Sequence, residues 1–293
     1  MKFTPSPLQK HRYRDFDFFL KRDDLLHVDF SGNKARKFHY FLNENFPHVR
    51  RVVSSGSNQS NAMYSLSVMA KLRGWEFIYF CEHIPTFLKE NPIGNYKYAL
   101  QNGMKIFESL HREDEAQSLY DKSTLVIQEG GRQVEAEYGV KILAKELEEE
   151  IKQNNIQNPY VFLPSGTGTT ALYLQKHLHV KVFTCSTVGD DDYLQKQWQM
   201  IEKDSSIYPQ ILSSQKKYHY GKIKLELYAL WKDLQEQTGV EFDLLYDMVG
   251  WVKYLENRDK LDGTLVYIHQ GGLKGNESML QRYQYKYDIM KQL

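Results

Sequence analysis

The chain has 293 residues, with 38 Lys+Arg against 37 Asp+Glu. That length suits one or two compact units. The balanced charge, with no basic stripe, argues against a protein that binds nucleic acid by neutralising phosphates. Its two cysteines, Cys81 and Cys185, each close a short apolar run and read as buried thiols in a reducing compartment; they are too few for a disulfide framework or a cysteine-based metal site. The opening Met1-Lys-Phe-Thr-Pro-Ser-Pro7 has no apolar leader, and no window approaches the roughly 18 apolar residues of a spanning helix. A cytoplasmic protein without membrane partners is therefore expected.

In chain order, a helix is predicted from Lys34 to Asn43. Strands follow at Arg51-Val-Val-Ser54, Phe77-Ile-Tyr-Phe80 and Thr124-Leu-Val-Ile127, then at Tyr160-Val-Phe-Leu163, Lys181-Val-Phe-Thr184 and Leu265-Val-Tyr-Ile268. Continuous apolar runs of this length suit strands covered on both faces. Helical patterns separate most of them, at Asn61–Arg73, Val134–Lys152, Tyr193–Lys203 and Lys222–Thr238. Strand alternating with helix predicts α/β units with parallel sheets. The charge run Lys145-Glu-Leu-Glu-Glu-Glu-Ile-Lys152 reads as the solvated face of a helix.

Ligands of open α/β sheets bind beyond the carboxyl ends of the strands. Here those ends lead into Ser55-Gly-Ser-Asn-Gln-Ser-Asn61, Glu129-Gly-Gly-Arg132, Pro164-Ser-Gly-Thr-Gly-Thr-Thr170 and His269-Gln-Gly-Gly272. Small residues, amides and hydroxyls dominate, as in a site that grips an anion. Ser165 to Thr170 follows a strand and opens a helix, so its N–H groups and hydroxyls can meet an oxyanion. No Lys follows Gly168, which excludes a P-loop, and no third glycine completes a dinucleotide fingerprint. A cup for a monophosphate and a tight turn before a capped helix remain. Lys34, beside Arg36 and Lys37, could be an amine of lowered pKa suited to Schiff-base chemistry, or an ordinary surface lysine.

Lys21-Arg-Asp-Asp-Leu25 with Gly32-Asn-Lys34-Ala-Arg-Lys37 resembles the signature of the family containing 1-aminocyclopropane-1-carboxylate (ACC) deaminase and D-cysteine desulfhydrase. The resemblance continues through Gln59-Ser60-Asn61, Gly94-Asn95, Gly130-Gly131, Ser165 to Thr170, Tyr220-Gly221, Tyr246 and His269-x-Gly-Gly272, nearly the whole chain. It implies a fold-type II pyridoxal 5'-phosphate (PLP) enzyme, similar to the tryptophan synthase β subunit: two open α/β domains with PLP in the cleft. Residues 1–43 and 130–293 would form the larger domain and 44–129 the smaller. A homodimer is implied too.

By the same resemblance, Lys34 would bond covalently to PLP and shuttle protons, and Asn61 would meet the cofactor's phenolic oxygen. Ser165, Gly166, Thr167, Gly168, Thr169 and Thr170 would hold the phosphate. Ser60, with Gln59, would meet the substrate carboxylate, and Ser60, Tyr220 and Tyr246 would be catalytic. Asp247 would face the pyridine nitrogen, where ACC deaminases carry Glu and desulfhydrases Ser or Thr. Gln270 stands where those enzymes carry Leu or Thr, and Ala171 where deaminases show Gln. A polar amide at 270 is expected to favour a polar small amino acid. The implied activity is deamination or elimination on such a substrate, D-cysteine first, releasing a 2-oxo acid, ammonia and sulfide. ACC ring opening, and PLP binding with little turnover, are the alternatives.

Overall fold

The computed structural model describes residues 5–30 and 32–287. Ser31, part of the motif before Lys34, lies outside them. Two sheets organise the chain. The smaller is wholly parallel, with β3 (Arg51–Ser55) between β4 (Glu76–Cys81) and β6 (Thr124–Ile127) and with β5 (Lys105–Glu108) on the far edge beside β4. The larger has six strands. The antiparallel pair β1 (Leu8–Tyr13) and β2 (Phe16–Lys21) joins β10 (Thr264–Ile268), β7 (Pro159–Ser165), β8 (Lys181–Ser186) and β9 (Gln210–Ile211), all parallel from β2 onward.

All six predicted strands are present. The other four are not predicted from the sequence, although β2 carries Phe18-Phe19-Leu20. β5 is an exposed edge strand, β9 has two residues, and β1 is the opposite edge, with charged residues facing water. The β1–β2 hairpin turns through Arg14 and Asp15, with Arg14 at φ 54°, without the Asn-Gly or Asp-Gly that usually announces such a turn.

Among the helices, α1 (Gly32–Asn43) and α2 (Asn61–Arg73) lie where the sequence places them, and Gly74 closes α2 in the left-handed region. The helix expected from Tyr193 begins earlier, at Asp191, because the Asp190 carboxylate accepts the Tyr193 N–H at 2.9 Å. It ends at Gln199. No described helix is long and apolar enough to cross a membrane.

One expectation is overturned. The charge run lies in α6 (Ala136–Gln153), and two of its acids turn inward. Lys21, fully buried, reaches Glu150 at 2.6 Å and Glu146 at 3.1 Å. Arg36, also fully buried, pairs with Asp23 and Glu146, each at 2.7 Å. Residues 146 and 150 share one face of the helix, whereas Lys145 and Glu149 remain outside. The Lys21-Arg-Asp-Asp24 motif thus bolts β2 and α1 onto α6, and Arg36 points away from the site.

Candidate active site

Residues after β3, β6, β7, β8 and β10 line one cavity of about 280 Å³, together with the start of α1. That lies near the low end for small-ligand sites. Gly32 makes the junction possible. Its φ is +66°, and a Cβ there would stand 1.8 Å from the Gln270 carbonyl oxygen. The next residue, Asn33, donates its backbone N–H to that oxygen at 3.1 Å.

Lys34 opens on this cavity with a side-chain amine lowered to about 8, chiefly by burial and opposed by the Asp243 carboxylate. Burial, rather than Arg36, is the cause. Lys37 is also buried, and desolvation followed by the Lys34 charge pushes its amine well down. Its Nζ donates to the Gly130 carbonyl at 3.0 Å and to Thr167 Oγ1 at 3.4 Å, beside the loop after β7.

That loop runs from Ser165 to Gly168 and enters α7 (Thr169–His177). Gly168 has φ +69°, and a Cβ there would stand 2.2 Å from Trp198 Nε1, whose N–H bonds the Gly168 carbonyl at 3.0 Å. The first turn of α7, whose leading N–H groups have no partner within the helix, borders the cavity at Gly168 and Thr170. Thr170 Oγ1 is buried there without a hydrogen-bond partner. Thr167 and Thr169 share a hydrogen bond at 3.1 Å. The Ser165 hydroxyl is turned away, bonded to Thr184 at 2.6 Å.

On the small-sheet side Ser60 caps α2, its oxygen accepting the N–H of Ala62 at 3.1 Å and of Met63 at 3.4 Å. Asn61 Oδ1 is taken by Asn95 at 2.6 Å, which leaves the Nδ2 hydrogens of Asn61 for the cavity. Gln59, expected to meet substrate, does not line the cavity; its amide spans from the Ile93 carbonyl to the Tyr96 N–H. Opposite, the hydroxyls of Tyr220 and Tyr246 lie 2.8 Å apart, and burial raises both phenols.

Asp247, at the start of α10 (Asp247–Asn257), lies on the cavity floor beside Asp243. Burial raises both carboxyls, and the proximity of Asp247 helps push Asp243 to about 7. Gln270 lines the cavity but its amide is engaged. Nε2 donates to the Pro164 carbonyl at 2.6 Å and Oε1 accepts from Asn33 Nδ2 at 2.9 Å. Its expected part in choosing polar substrates is left to the second Nε2 hydrogen and the second Oε1 lone pair. Sequence reasoning missed Asp243 as a lone acid, Lys37 as more than a neighbour of Lys34, and Arg112, which pairs with Glu129 at 3.0 Å on the cavity wall. Nothing in the sequence separates Arg112 from a solvated helix face.

No protein-family model matches the chain. Curated sequences do. D-cysteine desulfhydrase of Serratia proteamaculans is 26% identical over 304 residues, covering 92% of each chain. An ACC deaminase homologue superposes with a TM-score of 0.80 at 19% identity, over 96% of this chain and 94% of that one. Over more than nine-tenths of its length the chain is similar to proteins named D-cysteine desulfhydrase and ACC deaminase. A hydrogen sulfide-producing enzyme of Fusobacterium nucleatum superposes with a TM-score of 0.64 at 13% identity, over 92% of this chain and 96% of that one. The architecture is that of the fold-type II PLP-dependent enzymes. The site of this chain fits a phosphate-bearing cofactor. The α7 N-terminus, the buried Lys37 amine and the unpartnered Thr170 hydroxyl converge where an anion can satisfy all three.

Proposed function

We propose that this protein is a PLP-dependent enzyme that deaminates or eliminates from small amino acids, with D-cysteine the first substrate to assay. The observation that carries the reading is the shared cavity of Lys34, desolvated to about 8, and the anion cup at Thr170. The cup would hold the cofactor phosphate and Asn61 would donate to its phenolic oxygen. PLP, when bound, supplies an electron sink for the carbon bearing the substrate amine. Lys34 Nζ would take and return the proton at that carbon, and the α2 N-terminus capped by Ser60 would hold the substrate carboxylate. The Tyr220–Tyr246 hydroxyl pair would pass a proton on the substrate side.

The choice of D-cysteine rests on the Serratia relative. We further propose that residues 1–43 with 130–293 and residues 44–129 are the two domains flanking the cleft, and that the enzyme is a homodimer. Borohydride reduction followed by peptide mapping should place a pyridoxyl group on Lys34; another labelled lysine would overturn the assignment. An absorbance screen against D- and L-cysteine, D-serine and ACC then separates the activities. Faster turnover of ACC than of D-cysteine makes the protein a ring-opening deaminase, and spectral binding without product makes it a PLP-binding protein.

A further inference from the structure

Three side chains form one directional chain of hydrogen bonds. Lys34 Nζ donates to Asn33 Oδ1 at 3.2 Å, Asn33 Nδ2 to Gln270 Oε1 at 2.9 Å, and Gln270 Nε2 to the Pro164 carbonyl at 2.6 Å. The direction is forced from one end. A carbonyl oxygen only accepts. Gln270 must therefore turn its NH2 to Pro164 and its oxygen to Asn33. Asn33 must then turn its own NH2 to Gln270, which leaves its oxygen for Lys34. The backbone bond from Asn33 N–H to the Gln270 carbonyl holds the two residues in register.

We propose that Gln270 is a positioning residue for Lys34, fixing the Asn33 amide so that an acceptor always faces the amine. This rests on the reading of Lys34 as the cofactor-bearing lysine. The acceptor favours the hydrogen-rich form of the amine against its burial and sets where Nζ rests whenever it is free of the cofactor. Without Gln270 the Asn33 amide can turn over and present NH2 to Lys34. The other titratable groups lining the cavity are Lys37 on the same helix, Tyr246, Asp243 and Asp247 on the α10 side, Tyr220, Tyr193 after β8, and Glu129 with Arg112 on the small-sheet side. None is changed by substitution at 33 or 270.

The test uses the full-length protein stripped of cofactor and recharged with PLP. Covalent capture is trapped with borohydride and followed against pH, because only the neutral amine attacks. Gln270→Leu, or the equally long Gln270→Met where Leu folds poorly, should lower the midpoint of capture by about one pH unit, roughly a tenfold change in proton affinity. With D-cysteine, the same variants should lose kcat more than they alter KM. In an Asn33→Ala background, substitution at 270 should leave the midpoint in place, because the effect passes through Asn33. Equal shifts in both backgrounds, or none in the wild-type background, overturn the relay while leaving Lys34 as the labelled residue. A label on another lysine overturns the Lys34 reading and the relay together.

Discussion

The Asp247 carboxylate accepts the phenolic hydrogen of Tyr267 at 2.7 Å. Its other oxygen takes the Asp243 N–H at 3.1 Å, so both oxygens have donors from the protein itself. Asp243 gives one oxygen to the Leu245 and Tyr246 N–H groups before α10. Burial raises both adjacent acids; nearby His269 and the Tyr267 hydroxyl oppose this at Asp247, whereas the Asp247 charge adds to it at Asp243.

This asymmetry predicts a pH effect on stability. The Asp243 carboxyl stands near 7 in the fold against 3.8 for an unperturbed Asp, so the folded state binds more protons between those values. Stability therefore falls as pH rises from about 4 to about 7, and the full penalty applies above 7. Asp243→Asn should gain on the wild type by on the order of 2–3 kcal/mol between pH 5 and pH 8 in urea titrations. A stability difference equal at both pH values contradicts the assignment.

Thr170 tests the cup. Its buried hydroxyl has no partner in the protein, so Thr170→Val should leave the cofactor-free protein as stable or slightly more stable. PLP affinity should fall by roughly 10- to 150-fold, the worth of one hydrogen bond to a charged group. Thermal melts and a PLP titration read the two effects separately. Unchanged affinity would place the phosphate elsewhere.

Ser60 has two duties that substitution can divide. As the α2 cap it contributes about 1 kcal/mol, lost in Ser60→Ala but mostly kept in Ser60→Gly. Both variants should retain the cofactor absorbance and lose most turnover. Normal turnover in Ser60→Gly would reduce Ser60 to a capping residue.

The buried ion network predicts the largest stability loss. Arg36→Met strips Asp23 of its guanidinium partner and leaves Glu146 with Lys21 alone. Uncompensated buried charge costs about 3–5 kcal/mol. Chemical denaturation should show that loss, and a change under about 1 kcal/mol would mean that the network is dispensable.

Much of this molecule is local and therefore legible along the chain. Apolar runs buried on both faces mark β3, β4, β6, β7, β8 and β10, and the polar turns after several of them hold the cavity residues. The predicted span of α2, Asn61–Arg73, matches to the residue. What the chain alone leaves open is the direction of each polar side chain, because that depends on groups distant in sequence. Gln270 meets Asn33 across 237 positions and Pro164 across 106. Glu146 and Glu150 turn inward only because Lys21 and Arg36 arrive from other elements. Asp243 titrates near neutrality only because folding removes its water and sets Asp247 beside it. Residue type and spacing announce a site with a lysine, hydroxyls and glycines. Desolvation and pairing, which exist only in the packed chain, decide which of its groups hold protons and which hold one another.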